Sequence, residues 1–192
     1  MSKHIAIISA AAFGALTLTA ATVVPVSAQG KMKSEMSGEK TVMVGGAAMF
    51  PSKNIIQNAV NSKDHTTLVA AVKAAGLVST LEGKGPFTVF APINSAFGKL
   101  PAGTVDNLVK PENKPTLTRI LTYHVVPGRL EASGLSDGKK LKTVEGEQLT
   151  VKRSGDKVMI IDSKGDSATV TIPNVNQSNG IIHVVDTVLM PS

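Results

Sequence analysis

The spacing of apolar and polar positions changes about halfway along the chain. In the first half, apolar side chains recur at helical spacing, as in Leu68, Ala71, Val72 and Ala75, which fall at i, i+3, i+4 and i+7. Between residues 139 and 190 they alternate with polar side chains instead, as half-buried strands require. A chain whose helices come first and whose strands come second is typical of an α+β fold.

Capping and turn residues delimit the predicted elements. Asp64 and Asn94 are good N-caps for the helices that follow them, and Pro92 ends an apolar strand. The ordered domain is predicted to begin near Pro51 and to span residues 51–192. The predicted helices cover residues 54–61, 65–75, 94–99, 104–109 and 117–123, and the predicted strands cover residues 87–91, 139–144, 148–152, 157–161, 168–172 and 181–190.

The N-terminus has the pattern of a secretory signal peptide. Lys3 and His4 precede an apolar run from Ile5 to Val24, and small residues follow up to Ala28. We therefore predict a signal peptide over residues 1–28, cleavage after Ala28, and a secreted or periplasmic protein that keeps no transmembrane anchor. The alternative is an uncleaved anchor, because about 20 apolar residues can span a bilayer.

The composition of residues 29–50 predicts that they form a flexible, polar, methionine-containing tail. Residues 29–41 are mostly charged or polar, and Gly45-Gly46 then gives a flexible joint. Thioethers are ligands for soft ions such as Cu(I), so a weak copper site is an alternative use of this tail. The irregular spacing of its methionines argues against such a site, and neither a metal nor a cofactor is expected. These methionines are Met32, Met36, Met43 and Met49.

Composition restricts the partners and the chemistry. The chain has no cysteine, which excludes disulfides and thiolate metal sites, and its net charge is +6. It lacks a Gly-rich phosphate loop and an aromatic-basic pattern, so nucleic acid is not an expected partner. Seven bases and four acids share residues 139–164, which favours a solvated strand surface. Weak attraction to anionic polysaccharide or lipid head groups is the alternative.

Three segments resemble the signatures of the fasciclin domain family. They are residues 88–97 (TVFAPINSAF), 121–126 (LTYHVV) and 179–189 (NGIIHVVDTVL), in the order and spacing of that family. The resemblance is closest to bacterial single-domain members with a signal peptide. It implies a wedge of two β-sheets with an N-terminal helical layer, and we expect Phe90, Ile120 and Val184 to meet in one apolar centre.

The resemblance also implies candidate adhesion residues. In animal fasciclin proteins the Tyr-His region is implicated in integrin-mediated adhesion, which would make Tyr123 and His124 recognition residues. Asn94 and His183 lie in the other two segments and complete the candidate set. The alternative is that the His124 and His183 rings are buried and hold strand ends in place. No Asp is followed by Ile and there is no Arg-Gly-Asp, so integrin binding is not carried over.

Catalytic patterns are missing from the sequence. His183 and Asp186 are three apart on a predicted strand and therefore point to opposite faces. There is no G-x-S-x-G elbow and no H-E-x-x-H pair. We expect no enzyme, but an exported adhesion module that binds protein or polysaccharide of the envelope, matrix or host. A periplasmic carrier of a small ligand or copper is the alternative, and a purely structural envelope component is a third.

Overall fold

The computed structural model describes residues 40–192, and its elements follow the predicted α+β order. The helices are α1 (Ile55–Ala59), α2 (Thr66–Ala75), α3 (Val78–Leu81), α4 (Asn94–Gly98), α5 (Thr104–Leu108) and α6 (Lys114–Tyr123). The strands are β1 (Val42–Val44), β2 (Ala47–Met49), β3 (Phe87–Pro92), β4 (Val125–Pro127), β5 (Lys140–Lys142), β6 (Gln148–Ser154), β7 (Lys157–Ile161), β8 (Ser167–Gln177) and β9 (Gly180–Val185). Within residues 40–192, none of the helices has the length and apolar composition needed to cross a bilayer. The predicted signal peptide and residues 29–39 of the predicted tail lie outside the described residues.

The ordered chain begins before Pro51. Strands β1 and β2 form an antiparallel hairpin whose two-residue turn is Gly45-Gly46, both with positive φ. Val44 and Met49 are buried in the core, and the Gly45 carbonyl accepts a hydrogen bond from the Lys63 amide at 3.1 Å. The prediction of a flexible tail up to residue 50 is therefore wrong for residues 42–49, because two short apolar runs around a Gly-Gly turn bury enough surface to dock.

Seven strands form one continuous sheet, where the wedge predicted from the sequence has two. Its strand order is β4-β3-β9-β8-β7-β6-β5, and only β3 and β9 pair in parallel. Strand β8 joins the two halves of this sheet, because residues 167–169 pair with β7 and residues 170–177 pair with β9 across two register shifts. The Val144 amide donates to the Val125 carbonyl at 2.8 Å, which brings the two edges together into a near-barrel. The predicted α+β fold with a helical layer is confirmed, and the two predicted sheets are joined through β8 into one near-barrel sheet.

The sheet separates two hydrophobic cores. The helix-side core contains Ile182 and Val184 with the apolar faces of α1, α2 and α6. The barrel core, inside the curved sheet, contains Phe90, Tyr123 and Val185 with the inward residues of β5 to β7. Alternate residues of a strand point to opposite faces, so β3 and β9 supply both cores.

The expectation of one common apolar centre is wrong in its detail. Phe90 lies in the barrel core, Val184 in the helix-side core, and Ile120 in a small third cluster with Ala96 and Val188. The three signature segments nevertheless meet, because β3 pairs with β9 and the Phe90 amide donates to the His124 carbonyl at 2.9 Å.

Candidate functional site

Tyr123 ends helix α6 with its ring in the barrel core and 0% of its surface exposed. Its hydroxyl accepts a hydrogen bond from the Ser163 amide at 2.9 Å and lies 3.5 Å from the Gln148 carbonyl. Burial raises the pKa of this phenol above its ordinary value. The side chain therefore ties the connection after β7 to the end of α6, and the ring does not face solvent.

His124 follows directly and is 2% exposed. The Leu189 amide lies 3.0 Å from Nε2 and must donate to it, so Nδ1 carries the proton and donates to the Ile120 carbonyl at 2.8 Å. Burial lowers the pKa of this imidazole to about 4. His124 is therefore neutral at physiological pH and connects α6 to the C-terminal segment.

His183, on the central strand β9, is 0% exposed and stacks on Phe90 with 5.7 Å between ring centroids. Its Nδ1 accepts from the Asn174 amide at 3.4 Å, which leaves Nε2–H to donate to the Leu130 carbonyl at 2.7 Å. Burial lowers the pKa of His183 as well. Asp186 instead accepts from the Thr169 amide at 2.8 Å, so the two residues form no dyad.

Asn94 is half-buried and caps a helix other than its own. Its Oδ1 accepts from the Thr67 amide at 3.1 Å, in the first turn of α2, and its Nδ2 donates to the Lys63 carbonyl at 2.8 Å. Asp64, the predicted cap of α2, lies in a 3-10 turn that precedes the helix. The cap predicted from local sequence is wrong because Asn94, 27 positions from Thr67 in the chain, caps the helix by a tertiary contact.

The four candidate adhesion residues thus support the fold. A macromolecular partner at the surface cannot touch Tyr123, His124 or His183, and the amide groups of Asn94 are already bonded. We therefore reassign all four from recognition to positioning of the signature segments. The contacts of His124 and His183 agree with the alternative expectation, in which both rings are buried and hold strand ends in place.

The methionine copper site considered as an alternative does not assemble within the described residues. Met49 is buried in the helix-side core, whereas Met43 is exposed on β1. Met32 and Met36 lie outside the residues that the structure describes. Between residues 40 and 192 no three His, Asp or Glu side chains come together as a metal site.

An apolar cavity lies between the helical layer and strands β3 and β9. Its lining includes Ile55, Leu68, Val72 and Val184, and the space open to the centre of a water molecule is about 40 Å³. His65 also lines it, 4% exposed, with Nδ1 2.9 Å from Ser62 Oγ. Its Nε2 makes no well-aligned hydrogen bond in the described chain, although the ring lies close enough to the Ala91 backbone for that group to oppose the fall in its pKa. Burial lowers the pKa of His65, so its ring is uncharged at neutral pH, as is that of His124, which also lines the cavity.

The outer face of β5, β6 and β7 carries a row of lysines that the sequence analysis did not predict. Leu141, Val151 and Val158 point into the barrel core, so the neighbouring positions point outward. The outward set includes four exposed lysines, which we call the lysine stripe: Lys142, Lys140, Lys152 and Lys157. The alternation of apolar residues in the sequence could have revealed this row, because it places the lysines on the outer face of the strands. It does not show where the side chains of the nearby acids lie.

Three of the four acids in residues 139–164 are held away from the lysine stripe by ion pairs or hydrogen bonds. Glu145 and Glu147 bind Arg119 of α6 at 2.8 and 2.6 Å. Asp162 is buried and accepts hydrogen bonds from three backbone amides, those of Lys164, Asp166 and Met190. Asp156 lies in the β6–β7 turn, outside the strand face. The charges that alternate in sequence are therefore segregated in space.

Comparisons with known proteins agree on one family. The Fasciclin domain model matches residues 63–191. Protein sll1483 of Synechocystis sp. is 46% identical over 180 residues, covering 94% of each chain. The cell surface glycolipoprotein MPB83 of Mycobacterium bovis is 39% identical over 153 residues, covering 77% of this chain and 64% of that protein.

A solved structure shares the fold. It is the FAS1 domain pair from the insect cell adhesion molecule Fasciclin I, with a TM-score of 0.65 and 20% identity, covering 73% of this chain and 52% of that chain. At this identity the likeness bears on the architecture alone, and it agrees with the near-barrel and helical layer described above.

Proposed function

The chain belongs to the fasciclin domain family, and from this premise we propose that it is an exported adhesion-type module that binds surfaces non-covalently. The family is associated with cell adhesion and surface proteins, and one relative is named as a cell surface glycolipoprotein. The signal-peptide pattern of residues 1–28 supports export.

This proposal rests mainly on the observation that the histidine rings of the described chain are buried inside the fold. In the described chain, His124 and His183 bond backbone groups through both nitrogens, and the His65 ring is buried. A general base or nucleophile must reach a substrate, and these groups do not. The outer face of β5 to β7 is open instead, on a rigid sheet that suits non-covalent contact.

Capture on native surfaces tests the adhesion proposal. The purified protein, immobilised, is expected to retain defined components of its own cell envelope and of matrix extracts, each identified and then rebound in pure form. Tyr123→Phe is expected to leave this binding unchanged and to lower the free energy of unfolding by about 1 kcal/mol, because the hydroxyl bonds the Ser163 amide. A large loss of binding in a folded Tyr123→Phe protein would restore Tyr123 as a contact residue, and a failure to retain any component would contradict the adhesion proposal.

A second candidate function is a carrier of a small uncharged ligand, which the cavity at His65 favours. The lining is apolar and offers one buried ring nitrogen without a well-aligned hydrogen-bond partner in the described residues. Such a site suits a compact apolar molecule with a single hydrogen-bonding group. Of the tail methionines that the structure describes, Met49 is in the core and Met43 is exposed, so these two give no support to the copper version of this function.

Phenol and toluene, which have nearly the same shape, test the carrier function. We expect phenol to bind about tenfold more tightly than toluene, because its hydroxyl can pair with His65 Nε2. The measurement is the shift in unfolding temperature across a ligand titration, with His65→Leu as the variant that removes the difference. Equal shifts for both compounds, or none, would exclude a ligand site at His65.

A further inference from the structure

The lysine stripe crosses three strands on a diagonal. Lys140 lies opposite Thr150, so Lys152 is the diagonal neighbour of Lys140 on β6. Lys152 in turn lies opposite Met159, so Lys157 is the diagonal neighbour of Lys152 on β7. Diagonal neighbours in an antiparallel pair are about 7–8 Å apart, and residues two apart on a strand are about 7 Å apart. Four cations therefore lie in a row of roughly 20 Å with nearly even spacing.

None of the four stripe lysines forms an ion pair within residues 40–192, although Asp137 and Asp156 lie near the ends of β6 and β7. The ion pairs formed within residues 40–192 use Lys99 and Arg119 as their cations. The other outward positions of β5 to β7 and of the paired part of β8 are uncharged, namely Gln148, Thr150, Ser154, Met159, Ile161, Ser167 and Thr169. At a separation near the Debye length of about 8 Å the lysines repel one another, so a polyanion laid along the row would relieve that repulsion.

We infer that the lysine stripe binds a linear acidic polysaccharide. This names the partner of the adhesion module and rests on the function proposed above. A linear polyanion matches the row because it offers many charges along one line, and Met159 and Ile161, half-buried beside the row, offer apolar surface to sugar rings.

Two other anionic partners fit this face less well. Single-stranded nucleic acid is held by stacking on aromatic rings, and no outward residue of β5 to β7 is aromatic. An anionic membrane is held more firmly when several apolar side chains also insert. The large exposed apolar residues of the described chain are Met43, Val60 and Val144, and of these only Val144, two residues after Lys142, lies beside the stripe.

A charge-matched pair of variants tests the inference. The first replaces the stripe (Lys140→Gln, Lys142→Gln, Lys152→Gln, Lys157→Gln), and the second replaces four exposed lysines from other surfaces (Lys73→Gln, Lys84→Gln, Lys110→Gln, Lys114→Gln). Both lose four positive charges. Binding to polygalacturonate is measured at about 50 and about 200 mM salt, with neutral dextran and with phosphatidylglycerol vesicles in parallel.

We expect the wild-type protein to bind polygalacturonate, more weakly at the higher salt, and not to bind dextran. The stripe variant should lose at least about tenfold in affinity and the second variant less than about threefold. Equal losses in the two variants would overturn the inference, because net charge alone would then explain binding. So would binding to the vesicles but not to the polysaccharide. If envelope components are still captured while polygalacturonate is not, the adhesion proposal stands and only this inference fails.

Discussion

Acidification from pH 7 to pH 4.5 is expected to lower the free energy of unfolding by about 2–3 kcal/mol through His124 alone. The pKa of its ring is about 4 in the folded protein and 6.5 when it is exposed. Between these values the unfolded chain binds a proton that the folded chain does not, so stability falls as pH drops through 6.5 and the loss levels off below about 4.

His65 and His183 act in the same direction, because burial lowers the pKa of each. Protonation of His124 Nε2 would turn the acceptor of the Leu189 amide into a donor, so one hydrogen bond would become a clash of two donors. Protonation of His183 would do the same at the Asn174 amide. The expected fall in stability with decreasing pH therefore has a structural cause at both His124 and His183.

Urea denaturation at pH 7.0, 6.0, 5.0 and 4.5 measures the effect. The His124→Gln variant separates the contribution of His124 from that of the other titratable groups. His124→Gln should be less stable at pH 7 and should show a shallower fall toward pH 4.5, because the titrating group is gone. Stability that stays constant between pH 7 and pH 5, or a His124 ring that titrates near 6.5 in NMR spectra, would show that the ring is accessible to solvent.

Replacement of Asn179 by alanine is expected to cost about 3 kcal/mol of stability. The Asn179 side chain is buried and holds three backbone groups that are distant in sequence: Oδ1 accepts from the Ile55 amide at 3.0 Å, and Nδ2 donates to the carbonyls of Leu81 and Gly83 at 2.7 and 2.9 Å. Alanine would leave these groups without their partner in the interior, and the penalty is larger than for an exposed bond.

Asn176→Ala is the matched control for Asn179→Ala. Asn176 lies three residues earlier, within β8, and its Oδ1 accepts from Arg129 at an exposed position, so we expect a cost below about 0.5 kcal/mol. Chemical denaturation of both variants gives the comparison. Similar costs for the two would mean that Asn179 does not fasten α1 and α3 to the sheet, and would contradict the contacts described above.

The elements that were predicted well are those whose pattern is local. Strand β7 occupies residues 157–161 as predicted, and β6 begins at residue 148 as predicted, because alternation and flanking glycines are read from a few neighbouring residues. Helix α2 lies within one residue of its predicted start for the same reason. The three signature segments were sufficient to predict the fold family, and the family match confirms it.

The candidate site could not be predicted in this way. Tyr123 and His124 are polar enough to face solvent, and their burial follows from the strand and loop that cover them, which supply Ser163 and Leu189 from 40 and 65 positions away. The cap at Asn94 and the hairpin at residues 42–49 depend likewise on partners distant in sequence.

By itself, the sequence determined the order of helices and strands, the family and the lack of cysteine chemistry, because each depends on residue type and short-range spacing. Tertiary structure alone decided which polar groups are buried and where the charges lie. Seven bases and four acids share residues 139–164, yet Glu145 and Glu147 turn toward Arg119 while the lysine stripe remains free. The physical reason is that electrostatic and hydrogen-bond partners are chosen by distance in space, which the chain defines only after it has folded.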